Sequence, residues 1–115
     1  MEELSKQKCE ACRVGAPKVS EEEFVELIKQ IPNWNSLKEN SELRLKRAFN
    51  FNDYAIALDF ANKIAFMADA EDHHPAILLE WGKVEVTWWT HKIGGLHKND
   101  FISAAKTDLI YKSLA

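Results

Sequence analysis

The chain alternates segments of helical period with pairs of strand-like segments, and this alternation limits the folds it can adopt. The first helical segment begins at a capping box formed by Ser20 and Glu23, and Pro32 ends it. Its apolar residues recur at the spacing of one helix face, and they are Phe24, Leu27, Ile28 and Ile31. We therefore expect an amphipathic helix over this segment.

Two pairs of strand-like segments follow, each joined by a turn. The first pair covers residues 34–37 and 43–51 around a polar turn. The second pair begins near Ile77 and reverses at a tight turn over residues 82–83. In the last strand the residues that alternate toward one face are Val84, Val86 and Trp88. These patterns predict two antiparallel hairpins, with Trp88 in the core.

A second and a third helix flank the second hairpin. Asn52 or Asp53 can cap the second helix, which runs to about Ala70 and ends before Pro75, because the residue before a proline disfavours the α region. The third helix starts near Asn99. The residues expected to pack are Leu58, Ala61, Ile64, Ala65 and Ala68 in the second helix and Ile102, Ala105 and Leu109 in the third.

The resulting order is helix, hairpin, helix, hairpin, helix. It predicts an α+β fold in which a four-stranded antiparallel sheet carries helices on one face, an αββαββα-like two-layer sandwich. A chain of 115 residues has room for one core. We expect residues 19–115 to form this single domain and residues 1–18, which lack an apolar period, to form a flexible N-terminal tail. An exposed edge strand also favours self-association.

Charge and hydropathy exclude two classes of protein. The net charge of −3 and the absence of a basic cluster argue against nucleic-acid binding by charge. No run of apolar residues approaches the roughly 20 needed to span a membrane. The polar, acidic start is unlike a secretory signal, so we expect a cytoplasmic protein. Cys9 and Cys12 form half of a zinc knuckle, and a tail bearing two thiols is the favoured interpretation.

Three histidines are the strongest candidates for chemistry. His73 and His74 are adjacent and lie near Asp69 and Asp72, whereas His91 follows the last strand. Imidazole exchanges protons near neutral pH, and a neighbouring carboxylate fixes its tautomer. Surface decoration and a zinc site are the alternatives. The zinc site is disfavoured because adjacent histidines point in different directions. Three tryptophans can serve either packing or the stacking of a flat heterocycle, namely Trp34, Trp81 and Trp89.

Several ordered motifs together resemble the pterin-4a-carbinolamine dehydratase family, also known as dimerisation cofactors of a homeodomain transcription factor. These motifs are Asp72-His73-His74-Pro75, Trp81-Gly82-Lys83-Val84, Thr90-His91, Gly95-Leu96 and Asp100. The resemblance covers residues 20–113 and is to the bacterial type. It implies the same sheet with helices on one side, a homodimer or homotetramer, and a function in pterin recycling that is linked to phenylalanine hydroxylase.

The resemblance also implies an activity and the residues responsible for it. The reaction is dehydration of 4a-hydroxytetrahydropterin to quinonoid dihydropterin, with the pterin as substrate and with neither a cofactor nor a metal. His73 and His74 would be acids that meet the leaving hydroxyl, and His91 would be the base. The residues implied in substrate binding or orientation are Asp72, Pro75, Thr90, Asp100 and Trp34.

The sequence departs from the family pattern at two positions. Asp69 stands where relatives often have Glu, and His97 replaces the polar residue at the last helix cap, so Asp100 would lose its capping-box partner. Two other functions stay open: a protein-binding module that acts as a transcriptional coactivator, and a pterin role in molybdenum-cofactor metabolism. A binding module has no need of the histidines, so their presence favours the enzyme.

Overall fold

A computed structural model describes residues 3–7 and 18–114 of the chain. Its elements are, in order, α1 (Glu21–Ile28), β1 (Asn35–Glu39), β2 (Glu42–Asn50), α2 (Tyr54–Ala70), β3 (Ala76–Glu80), β4 (Lys83–Trp88) and α3 (Lys98–Ser113), with short 3₁₀ turns at Leu4–Lys6 and His91–Ile93. The four strands pair antiparallel in the order β1-β2-β4-β3. The predicted α+β fold is confirmed.

The core lies between the helices and one face of the central strands. The buried residues of that face are Leu45 and Phe49 of β2 and Val84, Val86 and Trp88 of β4, and they meet Phe60 and Ile64 of α2 and Phe101 of α3. The alternation expected for β4 is confirmed, because its three predicted core residues are each 0% exposed. Arg47 shares this face of β2 and is accommodated by Asp108 of α3, 2.6 Å away.

The first hairpin is tighter than its polar sequence indicates. Asn40 and Ser41 have φ values of 51° and 66° and form a two-residue turn, so the strands continue to Glu39 and start again at Glu42. Two successive left-handed residues match the twist of antiparallel strands, which makes such short turns favourable. The five-residue turn expected from composition is therefore replaced by two residues and longer strands.

The two long helices bury part of the set of residues expected to pack. Ala61, Ile64 and Ala68 of α2 and Ile102 of α3 are buried as predicted. Leu58 and Ala65 of α2 face outward, and Phe60 packs inward against Phe49 with ring centroids 4.8 Å apart. Leu109 of α3 is likewise 55% exposed. These three expectations are wrong because both helices carry apolar residues on more than one side. The Phe60 ring, which was not expected to pack, joins the aromatic cluster on the sheet.

The described part of the N-terminal segment packs on the domain. Leu4 is 1% exposed and contacts the core beside α3, and its backbone N–H donates to Oε1 of Gln30. These residues fall within the segment expected to be a tail. Cys9 and Cys12 lie outside the described residues. Among the helices of the described ranges, none combines the length and the apolar character needed to cross a membrane.

Candidate active site

The end of α2 sends two adjacent histidines in opposite directions. After Ala70 the chain passes through Asp72, whose φ of 53° is left-handed, and the N–H of His73 donates to the carbonyl of Ala68. The turn directs the His73 ring inward, where it is 3% exposed, while the side chain of His74 remains 57% exposed. Pro75 then leads into β3. One histidine therefore belongs to the core and the other to the surface.

A buried carboxylate lies behind His73. Asp100 is 0% exposed, and its Oδ1 lies 2.7 Å from Nε2 of His73. Its Oδ2 accepts hydrogen bonds from Oγ1 of Thr90 at 2.8 Å and from the N–H of His97 at 2.9 Å. The His73 ring also stacks on Trp88, with centroids 5.4 Å apart. Asp100 thus fixes the orientation of the His73 ring.

His97 restores the cap that the sequence was expected to lose. Its Nδ1 accepts the backbone N–H of Asn99 at 3.0 Å, and its own N–H donates to Asp100. The expectation that Asp100 lacks a capping-box partner is wrong, because an imidazole nitrogen can accept the hydrogen bond that a hydroxyl oxygen usually takes. The first turn of α3 therefore has a complete capping box built on the residue that also holds His73.

His91 lies just beyond β4, in a small closed loop. Thr90 donates its N–H to the carbonyl of Gly95 and so closes the loop, while Gly94 adopts a φ of 62° that suits glycine. The exposed His91 ring contacts the indole of Trp89 at a centroid distance of 4.3 Å. The loop and the end of α2 together border an open cavity of about 230 Å³ lined by Asp72, His73, His74, Thr90, His91 and Lys92. The three candidate histidines meet there.

Trp34 does not join this cavity. It is 4% exposed, its indole N–H donates to Oδ1 of Asp108 at 2.8 Å, and its ring meets Phe49 edge-on. Burial raises the pKa of the Asp108 carboxyl, while the hydrogen bond from Trp34 and the charge of Arg47 act in the opposite direction. Within one chain Trp34 is thus part of a buried polar cluster under α3. Pro75 lies next to the cavity residues and is half-buried.

Sequence reasoning missed a second tie between α3 and the histidine loop. Nζ of Lys106 lies 2.6 Å from Oε1 of Glu71, and both side chains are only 18% exposed. Glu71 ends α2 and precedes Asp72 directly, so this pair holds the loop that carries His73. The two residues are 35 positions apart and belong to no shared motif. No local signal in the sequence could have paired them.

The arrangement offers proton donors and acceptors around one small space. Two exposed imidazoles lie at the cavity, and a third is buried and held by a carboxylate. Asp69 lies 3.3 Å from Nε2 of His74, but with both side chains largely exposed this pair constrains the ring little. Residues 3–7 and 18–114 contain no group of three or more side chains suited to hold a metal ion. The chemistry that fits this set is general acid–base transfer.

Comparison with known proteins gives a consistent set of relatives. A sequence profile of the pterin 4 alpha carbinolamine dehydratase family matches residues 17–110. A curated protein of Nitrosococcus oceani, named provisionally a pterin-4-alpha-carbinolamine dehydratase, is 57% identical over 112 residues, which cover 97% of this chain and 99% of that protein.

Two solved structures share the fold. A transcriptional coactivator/pterin dehydratase of Brucella melitensis superposes with a TM-score of 0.74 at 28% identity, over 83% of this chain and 99% of that one. A pterin dehydratase-like protein identified as a RuBisCO assembly factor in the alpha-carboxysome superposes with a TM-score of 0.60 at 21% identity, over 69% and 89%. The latter likeness concerns the fold alone.

Proposed function

The chain belongs to the pterin 4 alpha carbinolamine dehydratase family, and from this premise we propose that it dehydrates 4a-hydroxytetrahydropterin to quinonoid dihydropterin and water. The observation that carries the proposal is the meeting of His73, His74 and His91 at one cavity, with Asp100 behind the first of them. A protein that only binds partners has no need of such a cluster.

The reaction requires one proton donor and one proton acceptor. The C4a–O bond breaks as the hydroxyl takes up a proton and leaves as water. The N5–H bond gives up its proton, and its electron pair forms the new C4a=N5 double bond, so the substrate is neither oxidised nor reduced by another molecule. A well-placed acid or base accelerates such a step by about 10²–10⁴-fold. Imidazole suits both roles near neutral pH.

We assign the acid to the His73–His74 pair and the base to His91. His74 is the exposed member of the pair and reaches the hydroxyl, while the buried His73 is held by Asp100 at the back of the cavity. His91 also lines the cavity and removes the N5 proton. Thr90 holds Asp100, and Asp72 shapes the turn before His73. In this assignment each of these residues has a single role.

The wider setting follows from the chemistry of the substrate. A 4a-hydroxytetrahydropterin is left when an aromatic amino acid hydroxylase, such as phenylalanine hydroxylase, has used its pterin, and a reductase must restore the product. We place the enzyme in the cytoplasm, in this recycling sequence, as a homodimer or homotetramer. The Brucella melitensis protein is named as a transcriptional coactivator as well as a pterin dehydratase. The second candidate function is therefore a protein-binding role on the same fold.

Stopped-flow absorbance with freshly generated 4a-hydroxytetrahydropterin tests the proposal directly. We expect the protein to accelerate decay of the intermediate well above the spontaneous rate. Substitutions His74→Gln and His91→Gln should each reduce kcat by about 10²–10⁴-fold. Trp81, which the sequence left open as a stacking residue, lies 67% exposed at the turn between β3 and β4 and is not among the residues that line the cavity. Trp81→Leu is therefore the control and should remain fully active. Decay at the spontaneous rate would contradict the dehydratase and favour the protein-binding role.

The position of His73 dictates how it should be substituted. Alanine there would leave the Asp100 carboxylate buried without the His73 ring, and an unmet buried hydrogen-bonding group costs about 1–3 kcal/mol or more. A loss of activity in His73→Ala would then have two causes that the activity alone does not separate, namely the missing imidazole and unfolding of the protein. His73→Gln, whose amide can donate to Asp100, separates the two effects when kcat and thermal unfolding are measured together.

A further inference from the structure

His91 differs from the other two histidines in what lies beside its ring. His73 has the Asp100 carboxylate and His74 has Asp69 within 3.3 Å. Across residues 3–7 and 18–114, the His91 side chain has no hydrogen-bond partner, and its ring contact is with Trp89. The centroids are 4.3 Å apart and the planes are inclined by 50°. The indole is therefore the group that limits where the exposed imidazole can turn.

Trp89 follows β4 directly and is half-buried. Its neighbour Trp88 points into the core, and the period of two along a strand directs the next side chain toward the opposite face of the sheet. There the guanidinium carbon of Arg44 lies 4.0 Å from the centroid of the Trp89 ring. A cation at this distance from an indole is attracted to its π face. Arg44 thus restrains the ring that contacts His91.

Arg44 is itself held firmly. Its Nη1 donates to Oε2 of Glu39 at 2.7 Å and its Nη2 donates to Oε1 of Glu42 at 3.1 Å, and its side chain is only 12% exposed. A planar guanidinium that is hydrogen-bonded through two terminal nitrogens leaves its flat face available for stacking on an aromatic ring. A continuous series of contacts therefore connects the turn of the first hairpin to His91 through Arg44 and Trp89.

The geometry points to Trp89 as a positioning residue for His91, with Arg44 holding the indole in place. The inference rests on the proposed function, in which His91 removes the N5 proton. Proton transfer requires the base within about 2.6–3.2 Å of the proton donor atom, and an exposed imidazole free to rotate about two bonds spends little time there. Trp89 narrows that rotation and need not touch the pterin.

The test compares Trp89→Leu with Trp89→Phe and uses Trp81→Leu as the control tryptophan. Because a misplacement of about 1 Å in a reacting group can cost about 100-fold, we expect Trp89→Leu to lower kcat by about 10–100-fold. KM should not change, since the indole acts on the base and not on the substrate. Trp89→Phe keeps an aromatic ring and should recover most of kcat. Trp81→Leu should match the wild type.

A spectroscopic measurement separates this inference from the proposed function. The carbon-bound protons of the His91 ring should carry a ring-current shift from Trp89 in NMR spectra, retained in Trp89→Phe and lost in Trp89→Leu. If the wild type shows no dehydratase activity, the proposed function fails and the inference fails with it. If the wild type is active and Trp89→Leu keeps its kcat, raises only KM or leaves the His91 shifts unchanged, the positioning role alone is overturned.

Discussion

At the scale of single residues, Asp100 organises the candidate site. It accepts hydrogen bonds from Thr90 and from the backbone of His97 on one oxygen, and its other oxygen meets His73. A buried carboxylate with partners on both oxygens is held in one position, because each lost bond would leave a desolvated acceptor. The same residue therefore completes a helix cap and orients an imidazole. Its position depends on His97 as much as on His73.

We predict that His97→Ala destabilises the protein by about 1 kcal/mol, the usual cost of losing an N-cap side chain. Nδ1 of His97 accepts the N–H of Asn99, and alanine offers no acceptor in its place. His97→Ser should retain most of the stability, because its hydroxyl can accept the same bond. Urea unfolding followed by fluorescence measures both variants. Equal stability of the serine and alanine variants would contradict the capping role.

At the scale of elements, α3 holds the histidine loop at two places. Asp100 in its first turn binds His73, and Lys106, nearly two turns later, binds Glu71 at the end of α2. The loop between them contains Asp72 in a left-handed conformation, which is unfavourable for most side chains and persists only where neighbouring contacts impose it. The two attachments therefore fix the direction in which His73 and His74 leave the loop.

We predict that Lys106→Met reduces kcat and lowers stability by about 1–3 kcal/mol, because the Glu71 carboxylate loses the charged donor in a poorly exposed place. Lys63→Met is the matched control. Lys63 forms a comparable pair with Asp59 at 3.1 Å, but their side chains are 47% and 53% exposed, so its loss should change stability by about 0–1 kcal/mol.

A double-mutant cycle decides whether the contact itself is responsible. Combining Lys106→Met with Glu71→Gln should recover part of the loss, with a coupling free energy of about 0.5–3 kcal/mol between the two positions. Additive effects in the cycle would show that Lys106 acts through other neighbours. Denaturant unfolding and steady-state kinetics on the four proteins supply both readouts.

At the scale of the whole molecule, α2 carries several exposed apolar residues on one side in the single chain. Phe66 is 76% exposed, and it shares a stripe with Ala55, Leu58 and Ala65, which are also exposed. Exposed apolar patches of this kind mark association surfaces in soluble proteins. Strands β1 and β3 also form the two edges of the described sheet. Both features favour the homo-oligomer proposed above, with α2 as its main contact.

We predict that Phe66→Glu shifts the protein toward smaller species in analytical ultracentrifugation, because a charge at the centre of an apolar contact would be buried unpaired. Leu109→Glu on α3 is the control, since Leu109 is 55% exposed and lies outside this stripe. It should leave the sedimentation profile unchanged. A wild type that is monomeric at every concentration tested, or a Phe66→Glu variant that assembles normally, would refute the prediction.

Local patterns in the sequence determined the elements and their order. The capping box at Ser20, the cap at Asp53 and the alternation through Val84 and Val86 all appear in the structure, because each depends on residues only a few positions apart. The motif around His73 likewise identified the family without any knowledge of the fold. Such short-range interactions depend only on residues that are close in the sequence, so the sequence is sufficient to predict them.

Tertiary structure alone decided the limits of the buried helix faces and which groups meet at the site. Leu58 and Phe60 are both apolar, and only the aromatic cluster on the sheet selects Phe60 for the core. Lys106 and Glu71 meet because α3 returns across the end of α2, and Arg44 reaches Trp89 only after β2 and β4 pair. These contacts depend on the packing of distant elements, so no local pattern specifies them.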